Sequence, residues 1–126
     1  MIIIISLTIL CVGIIILRCI RHNKARLSFH VMNTTEMKFK DTEKLDPAHR
    51  VIECHKFFVK ALRSIDKRAE NAAAKIQRFA EHFPNEKEVW RSHRLRNQIA
   101  HEDIQVSFQQ ARDASQAFLK ALESLL

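Results

Sequence analysis

The chain has 126 residues, with one glycine, two prolines, three cysteines and a net charge of +7. The lone glycine, Gly13, falls in an apolar N-terminal run. That excludes glycine-rich phosphate loops, dinucleotide fingerprints and hairpin-rich β folds, which all need residues tolerant of positive φ. The length allows one small domain, and the cationic excess suits a polyanion or an anionic membrane surface.

Residues 1–17, MIIIISLTILCVGIIIL, carry no charged side chain. A helix crosses the hydrocarbon core with about 20 apolar residues, and about 17 is the lower limit. Ile20 extends the run if Arg18 snorkels to the head groups. A cleaved secretory signal would place a basic stretch before the apolar run and a small-residue cleavage site after it. Here RCIRHNKAR follows the run. Residues 1–20 are therefore expected to form an uncleaved, single-pass transmembrane anchor in the cell membrane. Arg18, Arg21, Lys24 and Arg26 crowd its C-terminal end, and the positive-inside rule then puts the remaining chain in the cytoplasm. The competing reading, a buried core helix, conflicts with apolarity on all sides. Cys11, Cys19 and Cys54 make neither a disulfide framework nor a zinc spacing. Cys19 is an acylation candidate in a suitable host, although a spectator role is the simpler reading.

Residues 21–42 read as a basic juxtamembrane linker. Between 18 and 41 there are six Lys/Arg and two acids, which fits a topology determinant in contact with lipid head groups. MNTTEMKFK has weak β alternation, and no regular structure is assigned to it.

Residues 43–126 read as a helical domain. Asp46-Pro47 makes a helix start, Asp as cap and Pro at the first helical position. Val51, Cys54, Phe58, Leu62 and Ile65 then recur at three- and four-residue steps, an amphipathic helix to about Ile65. A second helix is expected over Lys67–His82, with Ala72, Ile76, Phe79 and Phe83 as its apolar side and Pro84 as its stop. Asn85 and Glu88 make a capping pattern for a third helix reaching about His101. Ser107 and Gln110 repeat the pattern for a fourth, whose stripe is Ala111, Ala114, Phe118, Ala121 or Leu122, and Leu125. Short connections make consecutive helices antiparallel neighbours. The expected fold is all-α: the transmembrane helix, then a small antiparallel four-helix bundle. A core of that size often gains stability by dimerising.

The third helix, EVWRSHRLRNQIAHED, carries the chemistry. With Trp90 at zero, Arg94 falls near about 40°, Asn97 near about −20° and His101 near about 20°, at 100° per residue. These four make one stripe, with Leu95 and Ile99 opposite. Arg96 lies about 140° from His101, so the two meet only if a side chain curls round, the last turn distorts or a second subunit supplies one. Arg offers phosphate a planar fork of donors, His exchanges protons near neutral pH, and Asn orients either. The bland alternative is that basic residues in a last turn complement the helix dipole.

Arg96-Asn97-Gln98-Ile99-Ala100-His101 resembles the R-N-x-x-x-H signature of HEPN domains, small helical bundles with this motif just before the final helix. The resemblance covers about residues 46–126, carried by the motif and the helix order. Many HEPN domains are metal-independent endoribonucleases whose motifs meet across a dimer. The resemblance implies that Arg96 polarises the scissile phosphate, that His101 serves as general acid or base, and that Asn97 holds the geometry. Arg91, His93 and Arg94 would add RNA or phosphate binding. It implies a homodimer acting on cytoplasmic RNA as a toxin or defence effector, without metal or cofactor, with a nucleotidyltransferase or antitoxin as possible partner. The alternative is a non-catalytic HEPN-like module binding a nucleotide or protein at the membrane. A third reading is structural, with buried Arg–Asn–His hydrogen bonds stabilising a dimer.

Other chemistry is set aside. No HExxH or second Glu-x-x-His exists for a metal. Asp46 and His49 read as a cap and a surface residue. Cys54 and His55 are adjacent, project differently and make no nucleophile–base pair. His22 and His30 lie in the linker, and Ser64 and Ser92 have no oxyanion device around them.

Overall fold

The computed structural model describes residues 1–23 and 26–126, with backbone alone described at Ile2 and at 19–23. Among the described residues there are six α-helices and no strand: α1 (Ile2–Asn23), α2 (Phe29–Asp41), α3 (Pro47–Ile65), α4 (Ala72–Phe79), α5 (Glu86–His101) and α6 (Phe108–Glu123). The all-α class is thereby established. Single 3-10 turns follow α2 at Thr42–Lys44 and α4 at Ala80–His82.

Helix α3 is the central element. Asp46 caps it by accepting from the His49 amide at 3.1 Å, and Pro47 occupies its first turn. Val51, Cys54, Phe58 and Leu62 are completely buried, as the three- and four-residue spacing requires. Helix α6 starts on a full capping box: the Ser107 hydroxyl accepts from the Gln110 amide, and the Gln110 side chain accepts from the Ser107 amide. Its stripe puts Ala111, Ala114, Ala117 and Ala121 against the core beside Phe118 and Leu122. The small alanines let α6 lie close to α3, and Phe118 stacks on Phe58 with centroids 4.7 Å apart.

Side-chain pairs fix the directions. Cys54 meets Ser115 and Phe58 meets Phe118, so α3 and α6 run the same way. Phe58 meets Phe83 while His55 meets His93, so α5 runs against α3. Thr42 meets Cys54, and the Leu27 amide donates to the Leu125 carbonyl at 2.6 Å, so α2 also runs against α3 and α6.

These pairs correct the domain boundaries. The segment expected as linker 21–42 contains α2, which buries Met32, Thr35 and Phe39. Leu27 is buried in the same core, so the bundle begins near residue 27 rather than 43. The four long helices around the core are α2, α3, α5 and α6. The second expected helix is shorter than Lys67–His82: α4 holds eight residues and packs on α3 beside the end of the bundle.

The late start of α4 has a local cause. Asn71 caps it by accepting from the Ala74 amide at 2.8 Å. The preceding loop folds over Lys75, whose side chain is fully buried. Its ammonium donates to the carbonyls of Asp66 and Arg68 at 2.7 and 3.0 Å and lies 3.1 Å from a Glu70 carboxylate oxygen. Arg78 completes the cluster on Glu70 at 2.6 Å. Its side chain holds the Glu70 carboxyl below the usual carboxylate range, chiefly by hydrogen bonding.

Helix α1 spans 22 residues, and its Ile and Leu side chains are exposed at successive positions, including Ile3, Ile4 and Ile5. Among the described residues no helix is long and apolar enough to cross a membrane; the uncharged run of described side chains ends at Leu17. The side chains of Cys19, Ile20, Arg21 and His22, and Lys24 entirely, lie outside the described residues.

Candidate functional site

Helix α5 begins at Glu86 after Asn85, and Glu86 and Glu88 place acids in its first turn, where they complement the positive end of the helix dipole. Asn85 is not a side-chain cap. Its amide turns inward and donates to the Ala117 carbonyl of α6 at 3.0 Å, leaving its own Oδ1 buried without a partner.

The buried face of α5 carries Val89, Ser92 and His93, with Arg96 half-buried one turn on. Leu95 and Ile99, expected as the apolar side, are half-buried. The face toward α3 is therefore polar, and it meets a polar group there. His55 Nε2 of α3 lies 2.9 Å from His93 Nδ1. His93 Nε2 lies 3.2 Å from Asn97 Nδ2, and Arg96 Nη1 donates to Asn97 Oδ1 at 3.2 Å. Arginine only donates, so Asn97 presents its oxygen to Arg96 and its amide hydrogens to His93. Phe118 closes over His55 edge-on at 5.7 Å, and Trp90 does the same to His93 at 5.7 Å.

The surroundings keep both rings neutral. Burial, then the nearby His93 and Arg96, pushes His55 down to about 3. His93 is also lowered, by burial first and then by Arg96 and Arg94. Neutral rings are what the chain needs, since each then supplies one donor and one acceptor.

Within this chain Arg96 is not fully satisfied. Its Nε is buried with no hydrogen-bond partner. Among the described residues no carboxylate lies within ion-pair distance of it. A half-buried guanidinium without a counter-ion favours a ligand that brings one.

The expected site residues separate into three places. Arg96 and Asn97 join the histidine chain. His93, expected to bind RNA or phosphate, is instead buried within that chain, its two ring nitrogens already engaged. Arg91 and Arg94 line a separate groove of about 660 Å³ between α5 and α6, together with Lys120, Glu88 and Asp113. His101 is exposed in the last turn of α5. It stands five residues beyond Arg96, about 140° round the helix, and among the described residues the two share no hydrogen bond. His55, set aside in the sequence reading, is the residue that reasoning missed. The signal was its position: four residues after Val51 and three before Phe58, it sits on the apolar stripe of α3. Among the described residues no three His, Cys, Asp or Glu side chains are grouped as a metal site requires.

No family model, no curated protein and no solved structure matches the chain.

Proposed function

We propose that the chain is a membrane-anchored HEPN-like module that cleaves cytoplasmic RNA as a homodimer, without a metal or cofactor. The observation that carries this reading is Arg96: a half-buried guanidinium without a carboxylate, held through Asn97 by two neutral histidines. Such a group is preorganised for a phosphate, because its orientation is fixed before the anion arrives. His101 stays exposed in the last turn of α5, where a second copy can reach it. With Arg96 of one copy facing His101 of another, the guanidinium would polarise the scissile phosphate. The imidazole would take the 2′-hydroxyl proton or give one to the leaving oxygen. The product would carry a cyclic phosphate. Asn97 positions Arg96, and Arg91 and Arg94 offer cations to the flanking strand. On this reading the protein would act as a toxin or defence effector, and an antitoxin or nucleotidyltransferase would be the partner to look for.

The anchor belongs to the same proposal. Helix α1 would span about 33 Å at 1.5 Å per residue, and the Ile and Leu side chains described on it, Ile3 to Leu17, are exposed. The bundle would then lie on the cytoplasmic side.

The separation of Arg96 from His101 within one chain favours a second reading, a non-catalytic module that binds a nucleotide or a protein partner at the membrane. The deciding experiment uses the full chain in lipid nanodiscs, with RNA and EDTA. Cleavage that survives EDTA and disappears in both Arg96→Ala and His101→Ala, with dimer and helix content intact, supports the ribonuclease. Absence of cleavage from a folded dimer across varied RNAs supports the binding module.

A further inference from the structure

A second cleft lies between α2 and α3, away from the histidine chain and from the α5–α6 groove. It encloses about 240 Å³, and its lining includes His30, Thr34 and Lys38 from α2 and Phe57, Lys60 and Ser64 from α3. No carboxylate lines it. Among the described residues neither Lys38 nor Lys60 pairs with an acid. The Lys38 ammonium is drawn over the Phe57 ring, 5.3 Å from its centroid, which holds it beside the cleft. The Thr34 hydroxyl already donates to the His30 carbonyl, and Ser64 to that of Ala61. The free donors are therefore the two ammonium groups and the imidazole.

The outer side of α2 adds a second observation. Phe29 and Met37 are each 71% exposed. On a helical projection Met37 falls about 20° from His30 and Phe29 about 100° from it. The same side carries Lys40 and two acids, Glu36 and Asp41. Large apolar groups beside unpaired cations are what a helix presents to a head-group layer.

Continuity of the chain adds a third. Helix α1 ends at Asn23 and α2 begins at Phe29, so α2 is the first bundle element beyond the apolar helix. Because α3 runs against α2, its C-terminal end, with Arg63 exposed in the last turn and Lys67 exposed just beyond it, lies at the same end of the bundle.

We propose that α2 lies on the surface of an anionic bilayer and that the α2–α3 cleft seats a phosphodiester head group between Lys38 and Lys60. Phe29 and Met37 sink into the boundary between head groups and acyl chains. This orients the bundle against the membrane, and it rests on the reading of α1 as a membrane anchor.

The test is amide hydrogen exchange on the full chain in phosphatidylcholine vesicles, with and without phosphatidylglycerol. A third arm adds free glycerol phosphate to the neutral vesicles. In anionic vesicles, exchange across residues 29–41 and 57–64 slows roughly tenfold, as expected for cations held near an anionic surface. The double variant Lys38→Glu/Lys60→Glu loses that slowing while exchange in α6 is unchanged, and Lys38→Gln/Lys60→Gln loses part of it. Equal exchange in the two vesicle types, or slowing that survives charge reversal, overturns the head-group site and leaves the anchor standing. Equal slowing by free glycerol phosphate overturns the lipid as its source. A chain that floats with neither vesicle type removes the anchor, and the head-group site with it.

Discussion

His55 Nε2 of α3 and His93 Nδ1 of α5, 38 residues apart in sequence, face each other at 2.9 Å. The tautomers of both rings follow from the far end of the chain they belong to. Arg96 donates to Asn97, so the Asn97 amide donates to His93 Nε2. His93 Nε2 is then bare, its proton sits on Nδ1, and that proton is donated to His55 Nε2. His55 must carry its own proton on Nδ1. Nitrogen NMR at neutral pH should show both rings as Nδ1–H tautomers. An Nε2–H His93 would mean that Asn97 is turned the other way.

Acid should destabilise the bundle through the same pair. In the unfolded chain His55 takes a proton near its ordinary value of 6.5, whereas in the folded chain it resists until about 3. Between those values the unfolded state binds more protons, so stability falls as pH falls, with a slope of up to about 1.4 kcal/mol per pH unit. His93 is shifted the same way. Melting temperatures measured from pH 7 to pH 5 should drop, and His55→Gln should flatten the drop. An unchanged slope in that variant would assign the acid sensitivity elsewhere.

Phe118 fills the space between α3 and α6, stacked on Phe58 and edge-on to His55. Phe118→Ala should cost about 3–5 kcal/mol, the usual figure for a buried ring that leaves a cavity. Urea unfolding read by circular dichroism measures it.

Lys75 is buried with four partners, two carbonyls and two carboxylates. Lys75→Met keeps the stem and removes the ammonium, stranding those groups, so a loss of about 3 kcal/mol is expected. Proteolysis should open the 66–71 loop first, since its backbone is held by that ammonium.

The position of α2 in the core predicts the effect of truncation. A fragment beginning at residue 42 lacks Met32, Thr35 and Phe39 and leaves their counterparts on α3 uncovered. It should melt well below a fragment beginning at residue 26, or aggregate. Equal melting temperatures would show α2 to be dispensable.

Much of the bundle was legible because its determinants are local. Asp46-Pro47 and Ser107–Gln110 satisfy helix ends within one turn of chain, and the stripes of α3 and α6 obey a 3.6-residue period. Helix α2 also had its signal, since Met32, Thr35 and Phe39 stand at three- and four-residue steps. A threonine in the stripe and the surrounding charge hid it. Asn85 misled because its capping role and its inward bond to Ala117 look the same in sequence.

Sequence by itself determined that the chain is helical, where most helices begin and end, and that Arg96, Asn97 and His101 share one helix with Arg96 and His101 on different faces. Local backbone preferences and helical spacing suffice for that. Only the tertiary structure decided that His55 completes the hydrogen-bond chain, that His93 is withdrawn from solvent and that Lys75 is buried. Those outcomes depend on which helix faces which, and burial turns a solvated side chain into one that must find its partner across the core.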